Sequence, residues 1–225
     1  HNFKKSPLNG EKWDAVVWYS PSIFLGLLAK FFKTQNNCKS YLIIRDIFPQ
    51  WALDMGLISR GIPFRFFDCV ARYQYSVADA IGVQSKGNLQ FFEQWRLRAN
   101  CKIEILPNWL GTSQLRHSSI RIKETPLAER KILVYSGNMG VAQDLSIFIE
   151  LAKELHWRKD LGFLLVGRGA DMVKLHAKCL EYGLSNVLFH DEIHPDQIAD
   201  LFKQCCVGIV SLAPGHRTHN IPGKF

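Results

Sequence analysis

The sequence predicts an α/β protein with parallel sheets in two units, and three observations carry that expectation. Short, continuous apolar runs such as Asp14 to Tyr19, Tyr41 to Ile44 and Lys131 to Tyr135 have the length and content of buried strands. Stretches with apolar residues at helical spacing lie between such runs, so strand and helix alternate along the chain. From 110 to 130 the periodicity fades into Gly, Ser, Thr, Arg and Lys with Pro126, which reads as a linker between a first unit, 1–109, and a second, 131–225.

Taken in order, the strand Asp14 to Tyr19 is followed by Ser20-Pro21, read as helix cap and first helical residue. Ile23, Phe24, Leu27, Leu28 and Phe31 then share one helical face. This whole region is broken by Ser-Pro-Ser and falls short of the ~20 apolar residues that a bilayer requires. The strand Tyr41 to Ile44 ends in Arg45-Asp46-Ile47-Phe48-Pro49. Ligands of open parallel sheets bind beyond the carboxyl ends of strands, so Arg45 and Asp46 are either a pair tying down that end or groups presented to a ligand. A helix over Pro63 to Ala78, a strand at Ala80 to Val83, a helix capped by Ser85 and a strand at Ile103 to Leu106 complete the first unit.

The second unit opens on the strand from Lys131 and the turn Gly137-Asn138-Met139-Gly140, with a helix expected from about Gln143 to Trp157. Two glycines can adopt backbone angles closed to other residues, and the first N–H groups of a helix lack intrahelical partners. Together they suit a phosphate or diphosphate, although two glycines also serve an ordinary strand-to-helix turn. The strand Phe163 to Val166 ends in a second glycine turn, Gly167-Arg168-Gly169, before a helix to about Tyr182. A strand at Asn186 to Phe189 leads through Asp191-Glu192-Ile193 to a helix over Asp196 to Gln204, and Val207 to Leu212 is the last strand. Three strand ends therefore present their turns at one rim.

Composition narrows the partners. The formal net charge is +8 in 225 residues, but the Lys and Arg residues are scattered, with no basic run and no RNA-binding or zinc-finger signature, so a nucleic-acid partner is not expected. A mildly basic surface suits anionic substrates or an acidic membrane face. The six cysteines form no C-x-x-C pair and read as reduced cytosolic thiols, and the eight histidines show no metal-ligand spacing.

Six segments then occur in one order: Arg45-Asp46-Ile47-Phe48-Pro49; Ala78-Asp79-Ala80-Ile81 with Ser85; Ile103 to Leu106 with Pro107-Asn108-Trp109; Tyr135 to Gly140; Val166 to Gly169; and Ile221-Pro222-Gly223-Lys224. In that order the chain resembles a retaining GT-B glycosyltransferase of family four, in the branch that builds bacterial O-antigen, capsule and colanic-acid sugars. The resemblance implies two Rossmann-like domains of GT-B type, both incomplete here, facing across a cleft. It implies a nucleotide-diphosphate-sugar donor, UDP foremost, on the C-terminal domain, a saccharide acceptor, polyprenyl-linked in that branch, on the N-terminal one, and no cofactor or metal. The enzyme would be cytoplasmic and peripheral at the inner membrane.

Residue by residue, the resemblance makes Gly137, Asn138, Gly140 and Gln143 contacts of the donor phosphates. Gly167, Arg168, Gly169, Glu192 and Ile193 fall where base and ribose are held. His216, Arg217, Asn220 and Lys224 approach the donor sugar and phosphates, with Arg217 and Lys224 offsetting charge on the departing diphosphate. Asp46, with Arg45 beside it, would position or deprotonate the attacking hydroxyl. Many relatives have Arg and Lys where this chain has Asn138 and Gln143. The family's first strand and N-terminal glycine loop are expected before His1, and its acidic donor motif after Phe225, so this stretch alone is expected to be inactive. A nucleotide-sugar epimerase of the same fold and a non-catalytic scaffold remain as alternatives. Trp51, Phe64, Phe66, Phe67, Trp95 and Trp109, with nearby arginines, form either core packing or a membrane-facing patch.

Overall fold

In a computed structural model of the chain, the described residues are 10–93, 101–109, 111, 115–215 and 217–218. They divide into two compact units, His1–Trp109 with Gly215–Ile221, and Leu110–Pro214 with Pro222–Phe225.

The first unit carries strands β1 (Ala15–Tyr19), β2 (Lys39–Ile43), β3 (Ala80–Val83) and β4 (Lys102–Ile105), all parallel, in the order β1-β2-β3-β4. Helices α1 (Leu25–Asn36), α2 (Gln50–Asp54), α3 (Ile62–Val77) and α4 (Lys86–Phe91) connect them. Leu42, Ile44, Ile81, Val83 and Ile103 of the sheet pack with Ala71, Tyr75 and Phe92 to form its core.

Helix α1 departs from the expected face. Gly26 and Ala29 are its buried residues, whereas Phe24 (54 % exposed), Leu27 (65 %) and Phe31 (40 %) point outward. The reason is a close helix crossing: a Cβ on Gly26 would stand 2.8 Å from the Gln74 Cα of α3. Only the smallest side chain allows that approach, so the apolar bulk turns away from it. Ser20 does not cap this helix either, since Phe24 occupies the N-cap position.

Behind β3, Asp79 accepts hydrogen bonds from Lys33 Nζ (2.8 Å), Ser40 N (2.9 Å) and Ser40 Oγ (2.9 Å). Burial pushes its carboxyl upward, but the bonds from Lys33 and Ser40 prevail and hold it below its ordinary value. The end of α1, the start of β2 and the start of β3 are thereby joined.

The second unit contains β5 (Lys131–Ser136), β6 (Leu161–Val166), β7 (Val187–His190) and β8 (Val207–Gly208), again parallel, in the order β7-β6-β5-β8. The last strand is shorter than the expected run to Leu212. Helices α5 (Ser146–Glu154), α6 (Met172–Glu181) and α7 (Pro195–Phe202) complete it. The chain reverses direction across the sheet between β5 and β8, which makes that junction a topological switch point.

Alternate residues divide the sheet into two buried faces. Tyr135, Phe163 and Leu165 pack with Phe148, Ile149 and Leu175 from α5 and α6. On the other face Ile132, Val134, Leu164 and Val166 pack with Leu201 of α7 and with Ile120, Ile122 and Leu127. Part of the stretch read as a linker thus covers the second face, a role that a parallel sheet requires because both of its faces must be shielded. The Gln204 side chain fastens this segment, donating to the Ile120 carbonyl (3.1 Å) and accepting from the Ile122 N–H (3.0 Å).

A connecting linker would tolerate truncation at Leu127, but the buried position predicts otherwise. Leu127→Ala is expected to cost about 2–4 kcal/mol in urea unfolding. A loss below about 0.5 kcal/mol, the range of surface substitutions, would return the segment to the role of a spacer.

Candidate functional site

The rim of the second unit is built by backbone meeting backbone. Gly137 N–H donates to the Val166 carbonyl (2.9 Å), Met139 N–H to the Arg168 carbonyl (2.7 Å) and Asp171 N–H to the Met139 carbonyl (3.0 Å). The two glycine turns therefore brace each other. Gly167 and Gly169 adopt φ of 142° and 157°, and a Cβ on them would lie 2.0 Å from the Gly137 carbonyl oxygen and 2.2 Å from that of Met139. No side chain fits at either position. Gly167 N–H reaches on to the His190 carbonyl (3.0 Å), which links the end of β7 to the same rim. Below the turn, buried Tyr135 donates its hydroxyl to the Asn138 carbonyl, and burial pushes its pKa up to about 12.

Between these turns opens a cavity of about 410 Å³, lined by Ser136, Gly137, Asn138, Val166, Gly167, Arg168, Glu192, Ile193, Pro195 and Ile198. The structure thus brings together Gly137, Asn138, Gly167, Arg168, Glu192 and Ile193. Gly140, Gln143 and Gly169 flank the cavity in the same turns but do not line it. Arg168 Nε lies 3.0 Å from Glu192 Oε2, and both side chains are largely exposed, at 80 % and 56 %. Such a pair contributes little to stability and is free to open toward an anion. Gln143 Oε1 accepts from Asn138 Nδ2 (3.0 Å) and Gly140 N (3.3 Å), so its side chain closes the first turn upon itself.

Two expectations are corrected here. Gly137 takes φ of 142°, but Gly140 has no positive φ. The helix after the turn starts at Ser146, because Asp144 sits in the left-handed region with φ of 42° and accepts a hydrogen bond from the Ser146 hydroxyl. Turn backbone lines the cavity in place of the N-terminus of α5. The helix start that does reach it is that of α7, where Pro195 occupies the first turn and His194 Nδ1 accepts from Asp196 N (3.3 Å). Sequence reasoning placed that helix but did not bring its first turn to the site.

At the rim of the first unit, buried Ser20 Oγ accepts from the N–H groups of Arg45 (2.8 Å) and Asp46 (3.1 Å), fixing the chain beyond β2. Arg45 Nη1 donates to Asn108 Oδ1, which also receives Gln84 Nε2 (3.0 Å). The Arg45 guanidinium stands 4.5 Å from the Trp109 ring centroid. Four strand ends thus meet around Arg45, with Asp46 half-buried beside it. Ser20, Gln84 and Asn108 were missed as site residues. The motif Pro107-Asn108-Trp109 was the available signal, but only folding joins it to Arg45.

Arg217 is exposed and belongs to Gly215–Ile221, which clusters with the first unit, where Asn88 Nδ2 donates to the Thr218 carbonyl. His216, Asn220, Lys224 and Trp95 lie outside the described residues. Of the aromatic group, Trp51 and Phe67 pack against Phe48, whereas Phe66 and Trp109 are exposed. Among the described residues no helix is long and apolar enough to cross a membrane, and no cluster of three or more His, Cys, Asp or Glu could hold a metal ion.

Two units with parallel sheets, the second carrying a glycine-lined cavity at its strand ends, have the GT-B fold, which similar solved structures share. Sucrose-phosphate synthase from Thermosynechococcus elongatus superposes with a TM-score of 0.66 at 16% identity, over 88% of this chain and 50% of its own. HepE of Anabaena, solved with UDP and glucose, gives a TM-score of 0.64 at 15% identity, over 89% of this chain and 53% of its own. In sequence the chain is similar to WcaI of Escherichia coli strain K12, a candidate colanic acid biosynthesis glycosyl transferase. The two are 22% identical over 223 residues, 95% of this chain and 54% of WcaI. The chain therefore spans about half the length of that relative. No protein-family model matches it.

The braced turns make a sharp stability prediction. Gly167→Ala is expected to lower the stability of the second unit by about 3 kcal/mol or more, combining a strained φ with a backbone collision. Gly183→Ala, at φ of 61° with nothing within 4 Å, is expected to cost only about 1 kcal/mol. Equal thermal shifts for the two variants would remove the backbone contact as the reason for glycine at 167.

Proposed function

We propose that this chain is part of a retaining glycosyltransferase that moves a hexosyl or related sugar from a nucleotide-diphosphate donor to a saccharide acceptor. The observation that carries the reading is the cavity between the two braced glycine turns at the carboxyl ends of β5 and β6. Its floor of close-approached backbone, the positive end of α7 and the readily opened Arg168–Glu192 pair suit a diphosphate joined to a ribose. The similarity to WcaI supports transfer chemistry in surface polysaccharide synthesis, and UDP in the HepE structure supports UDP as donor base.

In this reading Gly137, Asn138, Gly140 and Gln143 form the phosphate turn, and Gly167, Arg168, Gly169, Glu192 and Ile193 hold base and ribose. His216, Arg217, Asn220 and Lys224 approach the sugar and phosphates, and the cations stabilise the departing diphosphate without proton transfer. The acceptor oxygen bonds to the anomeric carbon as the bond to the diphosphate oxygen breaks. Its proton passes to the leaving phosphate or to Asp46, which Ser20 orients through the backbone and Arg45 accompanies. A polyprenyl-linked acceptor fits a protein held at the cytoplasmic face of the inner membrane. Exposed Ile62 (85 %) and Phe66 (54 %), with exposed Arg60 and Arg65, are the surface that supports such contact.

A thermal-shift titration with UDP, GDP and ADP tests the donor site. Selective stabilisation by UDP is expected, worth about 2.7 kcal/mol at a hundredfold excess over Kd, and absent in Gly140→Asp. That variant should fold, because a Cβ at 140 meets first the movable Asn138 side chain, at 2.9 Å. No stabilisation by any of the three nucleotides would remove the transferase reading.

Asp46→Asn separates donor binding from transfer. It is expected to leave the UDP-induced shift unchanged while reducing transfer to a saccharide acceptor by about 10²-fold or more. Transfer at the wild-type rate would exclude Asp46 from the chemistry.

A further inference from the structure

The second unit carries another concave site, at the amino edge of its sheet and away from the glycine turns. It is a cavity of about 660 Å³ between the covering segment before β5 and the carboxyl end of α7. The length of β5, six residues or roughly 20 Å, separates it from the donor cavity.

Its lining is dominated by cations. Arg121, Lys123, Arg130 and Lys203 face only two carboxylates, Glu124 and Asp200. Asp200 is already engaged: it accepts from the Ser118 N–H at 2.8 Å and lies 3.8 Å from His117 Nδ1. That backbone bond first, then the charges of His117, Lys203 and Arg121, hold its carboxyl below the usual range. Lys203 follows the last turn of α7, where the carbonyl end of the helix draws a cation. Set against Glu124, Arg121, Lys123 and Arg130 leave an excess of positive charge, and among the described residues none of the three forms an ion pair.

Arg121 and Lys123 are not loosely placed. Ile120 and Ile122 are buried beneath the sheet, so the residues between and after them turn outward. The Gln204 clamp fixes the backbone at both isoleucines, and Arg130 Nη1 rests 3.3 Å from the Leu161 carbonyl. Like charges lining one concave surface raise the positive potential there and favour an anion.

The geometry points to a second anion site here, one that takes a phosphate-bearing ligand, either a free phosphate compound or the phosphate of an anionic lipid headgroup. Guanidinium and ammonium groups lining one concavity can offer donors to several phosphate oxygens. The site stands independently of the donor reading, because it shares no residue with that cavity.

Two arms test it, both in the Gly140→Asp background, where a carboxylate in the first glycine turn opposes anions at the donor cavity. Isothermal titration with inorganic diphosphate is compared between that protein and one also carrying Arg121→Gln and Lys123→Gln. Flotation with phosphatidylcholine vesicles, with and without an equal part of phosphatidylglycerol, is compared in the same pair. The added substitutions are expected to weaken binding about tenfold in the arm that reports the ligand, with the circular dichroism spectrum and unfolding midpoint unchanged. A loss confined to titration identifies a free phosphate, and a loss in flotation identifies the lipid headgroup. Absence of binding in both arms, or binding that the substitutions leave unaltered in both, overturns the proposal.

Discussion

The second unit depends on the contact between two backbones at the carboxyl edge of its sheet. The carbonyls of Gly137 and Met139 lie where the Cβ atoms of residues 167 and 169 would otherwise be. Because those positions are glycine, the turns after β5 and β6 lock together through hydrogen bonds in both directions. The locked turns form the floor of the cavity and expose main chain where a side chain would have filled the space. This is a constraint of shape before it is one of charge.

That floor is useful only if the sheet beneath it is rigid, and a parallel sheet is stable only when both faces are covered. Helices α5 and α6 cover one face. The opposite face has α7 and the segment carrying Ile120, Ile122 and Leu127, fastened by Gln204. The segment before β5 is therefore part of the unit that it introduces. The same covering segment turns Arg121 and Lys123 outward at the amino edge, so one packing requirement also creates a charged surface far from the glycine turns.

In the first unit, a single arginine organises the rim. Arg45 leaves the end of β2, hydrogen-bonds to Asn108 beyond β4 and lies against the Trp109 ring. Its backbone N–H and that of Asp46 are fixed by Ser20 from the end of β1. A guanidinium so held loses its mobility, which suits positioning. Asp46 then has a fixed address beside a fixed cation, an arrangement suited to orienting a hydroxyl.

The strands and most helices were legible in the sequence because burial imposes local patterns. A parallel strand covered on both sides is a short apolar run, and Lys131–Ser136 and Leu161–Val166 follow that pattern, the second starting two residues before the expected Phe163. The turn residues Gly137, Asn138, Gly167 and Arg168 and the segment Glu192-Ile193 were legible too, since strand ends in such sheets line up at one edge. What escaped the sequence were relations between residues distant along the chain. Nothing local marks Gly26 as a contact until Gln74 stands against it, and Phe24 and Leu27 share the apolar helical face until that crossing turns them out. Ser20 reads as a cap until the β2 end supplies two N–H groups for it. Residues 115–130 lack periodicity, yet three of them are core, because extended chain can cover a sheet without a repeating pattern. The sequence by itself determined which segments are strands and which turns end them, since those follow from local apolar runs and glycine placement. Only the tertiary structure decided which turns touch, which faces are covered and which cations converge, because those depend on distances that no local pattern encodes.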